Sequence, residues 1–130
     1  MGKITSFLAV TVLSIGARLP AENLVVNGSF EDGVGTYDGG NGVDFVTLKA
    51  GSTGITGWTI ILSSIDYDGS YWQASDGGRS LDLEGAGGDL GGVSQTISTV
   101  PGKAYVLTFD MAGNPDPGAG VSPIKKMRVE

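Results

Sequence analysis

From Leu24 onward the chain alternates short apolar stretches with turn signals, the spacing of a sandwich or barrel rather than of strands alternating with helices. The clearest case is "KAYVLTFDMAG". Tyr105, Leu107, Phe109 and Met111 fall on one face, and Val106, Thr108 and Asp110 fall on the other. This period of two predicts a strand with one side buried. Glycine points the same way: it occupies 23 of 130 positions. Each interior glycine costs a helix roughly 1 kcal/mol relative to alanine, whereas short strands joined by glycine turns tolerate it. The expected class is all-β, in a single domain large enough to bury a core.

The rest of the chain fits that grammar. "NLVVNGSFE" reads as the first strand, "EDGVGTYDGGNG" as a loop, and "VDFVTLKAG" and "GWTIILSSIDYDG" as strands rich in β-branched and aromatic residues. In "RSLDLEG", Leu81 and Leu83 point one way and Ser80, Asp82 and Glu84 the other. Val93 and Ile97 flank Gln95 on one face of a further strand. "TVPGKAY" places Pro101 and Gly102 at the central positions of a type II turn, and "IKKMRVE" reads as a strand with Met127 and Val129 on the same side. Phe30, Trp58, Tyr105 and Phe109 are the expected core anchors. "NGS" at Asn27 is treated as turn chemistry, not as a glycan acceptor.

Residues 1–21, "MGKITSFLAVTVLSIGARLPA", read as an export signal: a basic Lys3, an apolar run from Ile4 to Ala17, then small residues. That run has 14 residues and contains Thr5, Ser6, Thr11, Ser14 and Gly16, too short and too polar for the ~20 residues of a membrane span. Cleavage after Ala21 removes Lys3 and Arg18 and takes the formal charge from -6 to -8. An acidic extracytoplasmic domain over residues 22–130 is expected. Its charge argues against a nucleic-acid partner. The chain has neither Cys nor His. This excludes disulfides, thiol chemistry, Ser-His-Asp triads and imidazole metal sites.

Chemistry concentrates in "DYDGSYWQASDGGRSLDLEG", residues 66–85. Asp66, Asp68 and Ser70 are spaced like the first ligands of a calcium loop of the EF-hand type. The sixth position is Tyr71 and the twelfth is Gly77, where glycine and glutamate are needed, so an acidic turn is the better reading. Asp66, Asp68, Asp76, Asp82 and Glu84 offer carboxylates for glycoside hydrolysis, which needs a pair at about 5 to 9.5 Å across a cleft. Carboxylates at period two on a strand also describe an ordinary solvated face. A third reading is sugar binding. An aromatic ring covers the C–H face of a pyranose, and planar amide, carboxylate and guanidinium groups bond vicinal hydroxyls. Tyr71 or Trp72 would stack, and Asp66, Gln73, Asp76 and Arg79 would orient the ligand. The structural alternative is that Trp72 fills the core and Arg79 pairs with Asp76 or Asp82. On a strand, Tyr71 and Trp72 would face opposite sides.

"NLVVNGSFE", "GWTI", "SIDYDGSYWQASDGGRSLDLEG", "GVSQTIST", "PGKAYVLTFDMAGNP" and "KKMRV" occur in the order seen in the bacterial choice-of-anchor C family, which this chain resembles over residues 23 to 130. That family is similar to plant cell-wall proteins with a galactose-binding-like jelly roll. The resemblance implies a secreted antiparallel β-sandwich of jelly-roll type. It further implies association with polysaccharide or cell-envelope glycan, in a family with no established catalysis. Relatives continue past "KKMRV" with closing strands, so a C-terminally incomplete sandwich is expected. Asp68 stands where relatives carry an apolar residue, so that strand is expected to end early. The resemblance also implies a structural calcium ion, Ca2+, near the carboxylate that follows "SF". Here that residue is Glu31, and the late Asp partner would lie beyond Glu130. The functional expectation is a non-catalytic, extracellular carbohydrate-binding module. The alternatives are an adhesive envelope protein and a glycan hydrolase.

Overall fold

The computed structural model describes residues 22–35, 37–38, 44–85, 90–113 and 126–130, with the backbone alone at 37–38. The export signal expected over residues 1–21 lies outside them. The described residues form antiparallel strands and no helix, as the glycine content and strand grammar require. The strands are β1 (Tyr37–Asp38), β2 (Asp44–Lys49), β3 (Thr59–Leu62), β4 (Ser64–Asp68), β5 (Ser80–Asp82) and β6 (Gly91–Ser94). One sheet runs β1-β2-β4-β5, and the other pairs β3 with β6.

Register decides the faces. Val46 lies opposite Tyr67, Leu48 opposite Ile65, and Tyr67 opposite Leu81, so one side of the larger sheet is apolar. In the smaller sheet Ile60 pairs with Val93. The core between them is built on Leu48, Ile55, Ile60, Ile65 and Tyr67, with Phe30, Val46, Trp58, Leu81, Leu83 and Val93 packed against it. Leu81, Leu83 and Val93 therefore take the inward positions that their alternation predicts. Phe30 and Trp58 behave as anchors too. Their rings pack tilted with centroids 5.2 Å apart, and Trp58 Nε1 donates to the Asn27 carbonyl at 3.0 Å.

The stretch "GWTIILSSIDYDG" is not one strand but two, placed in different sheets. The break falls at Leu62, whose φ of 67° is left-handed, and the chain bends at Ser63 before re-entering the larger sheet. Close approach of the sheets at this corner requires Gly91: a Cβ there would collide with the Ser64 carbonyl. Residue 91 also donates its N–H to Leu83 O at 2.7 Å.

Three strand expectations are corrected. "NLVVNGSFE" folds as a turn, not a strand, with Asn27 and Phe30 at positive φ. The side chain of Asn27 organises it, donating to Asp32 O and Thr56 O and accepting the Asp32 N–H. "KAYVLTFDMAG" carries no strand, and Tyr105, Leu107, Phe109 and Met111 are exposed rather than buried. A strand needs a neighbour on its hydrogen-bonding edge as well as an apolar face, and no described segment supplies one. Tyr105 and Phe109 are consequently not core anchors. Residues 126–130 likewise carry no strand, with Met127 and Val129 exposed; residues 124–125 of "IKKMRVE" lie outside the described residues. Ile97, expected on the face of Val93, is exposed beyond the end of β6. The turn at Pro101 and Gly102 forms as read, with Gly102 at φ 80° and Lys103 N donating to Val100 O at 3.2 Å.

Candidate functional site

β4 ends at Asp68, and the chain leaves the sheet in a loop that rejoins it at Ser80. The loop is tied down at both ends by acidic side chains from distant parts of the sequence. At its start, Asp44 accepts Gly69 N through its carbonyl at 2.7 Å and Ser70 N through Oδ2 at 3.2 Å. At its end, Glu31 Oε1 accepts Gly78 N at 2.8 Å and Arg79 N at 3.0 Å. Gly77, at φ 68°, makes the second tie possible, because a Cβ there would collide with the Glu31 carboxylate.

Between these ties the rings are ordered by stacking. Tyr71 packs on Phe45 with centroids 5.7 Å apart and on Trp72 at 5.0 Å, the latter pair 25° from parallel. The two rings therefore do not face opposite sides of a strand; outside the sheet, adjacent residues are free to stack on each other. Both are half-buried. Trp72, Gln73 and Arg79 line an open cavity of about 500 Å³ together with Glu31, Asp44 and small loop residues. That volume lies within the range of about 300–1,000 Å³ common for small-molecule sites. The Arg79 guanidinium lies over the Tyr67 ring, 5.1 Å from its centroid. Tyr67 is fully buried and donates its hydroxyl to Phe30 O at 2.6 Å. Burial pushes the phenol upward, opposed by the Arg79 charge and reinforced by Glu31 and Asp32.

The remaining candidates lie elsewhere. Asp76 is exposed and outside the cavity lining. Asp66 projects from the outer face of β4, where it accepts the Thr47 hydroxyl at 2.6 Å. Asp68, on the same face, is 1% exposed and its Oδ2 has no hydrogen-bond partner. Burial, with the charges of Asp66 and Asp82, raises its carboxyl to about 7. Asp44 and Gln95 carry structural weight that sequence reasoning did not assign. Gln95 Oε1 accepts Val26 N at 2.8 Å, and its Nε2 donates to Val26 O and Gly57 O, both at 2.9 Å, so one side-chain amide ties the Val26 backbone to Gly57.

Glu31 Oε1, at the position where the resemblance implies a calcium ligand, accepts the loop N–H groups of Gly78 and Arg79. Ca2+ prefers six to eight oxygens. Among the described residues no three acidic side chains converge in a way that could hold a metal ion. Among the same residues no helix is long and apolar enough to cross a membrane.

No solved structure matches the chain. Among curated proteins it is similar to halomucin of Haloquadratum walsbyi (strain DSM 16790 / HBSQ001), with 39% identity over 102 residues. The alignment covers 78% of this chain and 1% of halomucin, so the chain spans a very small part of that relative. Residues 23–129, which include both clamps, the ring stack and the cavity, match the family model described as "Protein of unknown function (DUF642)". The chain belongs to the DUF642 family.

Proposed function

We propose that the protein is a non-catalytic, extracytoplasmic glycan-binding module whose site is the cavity under the loop from Gly69 to Arg79. The observation that carries this reading is the clamped loop. Glu31 and Asp44 hold its two ends, so that Trp72, Gln73 and Arg79 line one open cavity. A ring that lines an open cavity beside an amide and a guanidinium is the chemistry a pyranose requires. A preorganised loop also loses little entropy on binding. The resemblance to choice-of-anchor C proteins and their plant cell-wall relatives supports placing such a module at a cell surface, as does the leader read in residues 1–21. Weak single sites of this kind gain strength through repetition.

The non-catalytic reading is supported by the state of the carboxylates first considered for hydrolysis. Asp66 is engaged by Thr47, and Asp68 is buried away from the cavity lining. A second reading, adhesion to another protein by strand addition, is favoured by the exposed row Tyr105, Leu107, Phe109 and Met111.

The test is retention on insoluble polysaccharides, comparing the native chain with Trp72→Ala and Tyr71→Ala and checking each fold by circular dichroism. Binding lost in a folded Trp72→Ala variant supports the proposal. Undiminished binding, or turnover of any glycan, overturns it.

A further inference from the structure

We infer that this site selects neutral, hydroxyl-rich glycans and rejects chains that carry carboxylates. The inference rests on the glycan reading above and deepens it. Among the described residues, three ionisable side chains line the cavity: the carboxylates of Glu31 and Asp44 and the guanidinium of Arg79. Two negative charges therefore face one positive charge. The positive one sits over the Tyr67 ring, which holds it at the cavity wall. The two carboxylates cannot swing away from an approaching anion, because each is fixed by loop N–H groups: Glu31 by Gly78 and Arg79, and Asp44 by Ser70.

Donor and acceptor chemistry gives the same answer as charge. A carboxylate only accepts hydrogen bonds, so the exposed Glu31 pairs with a sugar hydroxyl, which can donate, and not with a ligand carboxylate, which cannot, while Asp44, with Oδ1 buried and Oδ2 on Ser70 N, acts through its charge. Gln73, exposed at the rim, offers both kinds of group and discriminates little. The chain as a whole carries a formal charge of -6, so long-range steering acts in the same direction as the local charges.

The experiment uses a glucan, a mannan and a galactan, each alongside its carboxymethylated derivative, with affinity measured at low and high salt. The expected result is that at least one neutral polymer binds and its carboxymethylated form binds at least tenfold more weakly at low salt. The gap should narrow as salt screens the cavity charges. Asp44→Asn keeps an oxygen for Ser70 N but removes one charge, and should shrink the discrimination severalfold. A carboxymethylated polymer binding as well as, or better than, its neutral parent overturns the inference and leaves the glycan reading standing. If no polymer of either kind is retained, both fall together.

Discussion

Glu31 Oε1 accepts the backbone N–H of Arg79 at 3.0 Å across 48 residues of sequence, and the same oxygen accepts Gly78 N. One side chain thus holds the end of the loop that carries the candidate site. A typical hydrogen bond contributes about 0.5–1.5 kcal/mol net, and both of these are solvent-accessible, so the lower half of that range applies to each. Glu31→Ala should cost about 1–2 kcal/mol in urea denaturation. Hydrogen exchange at the amides of residues 78 and 79 should accelerate while the amides of β2 and β4 keep their protection. Uniform acceleration across both sheets would show that Glu31 is a general stability determinant, not a local clamp.

Gln95 makes three hydrogen bonds through one amide, two of them to Val26. Gln95→Ala leaves those backbone groups without their partner and should destabilise by about 1–3 kcal/mol. Gln95→Glu should be no better, since two carbonyls would then face a carboxylate. Equal stability of native and Gln95→Glu chains at neutral pH would contradict this account.

At the sheet corner, Gly91→Ala should be severely destabilising, by about 3 kcal/mol or more, because the added methyl collides with backbone rather than with a movable side chain. Leu62 offers the converse. It is 73% exposed and holds φ at 67°, a conformation costing a non-glycine residue roughly 1–2 kcal/mol. Leu62→Gly should recover about 0.5–1 kcal/mol after its added unfolded-state entropy, seen as a raised Tm. A lowered Tm would mean that the Leu62 side chain contributes packing.

Asp68 sets a pH dependence with a definite sign. Its carboxyl is raised to about 7 in the fold, from 3.8 in a free chain. Between these values the folded state holds a proton that the unfolded state has lost. Its contribution to stability is therefore complete below pH 3.8, declines as pH rises, and is gone above about 7. One pKa unit corresponds to ~1.4 kcal/mol, so the change amounts to a few kcal/mol. Asp68→Asn should remove this slope between pH 4 and 7 and stabilise the protein at pH 8. A native chain more stable at pH 8 than at pH 5 would argue that other carboxylates dominate.

Much of this protein is legible in its sequence. The all-β class followed from glycine content and period-two patterning. The inward positions of Leu81, Leu83 and Val93 followed from alternation. Local rules suffice there because facing is decided within a few residues. They failed at "GWTIILSSIDYDG", where Leu62 divides one apolar run between two sheets, and at "KAYVLTFDMAG", where a regular alternation has no partner among the described strands. Pairing is a relation between segments, and no single segment contains it.

The candidate site divides along the same line. The residue types in 66–85 announced a place for sugar chemistry, because rings, amide and guanidinium are visible as letters. That Trp72, Gln73 and Arg79 line one cavity while Asp66 and Asp76 stand outside it was decided by Glu31 and Asp44, which reach the loop from 26 to 48 residues away. Composition determines what chemistry a chain can offer. Which groups converge depends on long-range hydrogen bonds that exist only once the strands have paired.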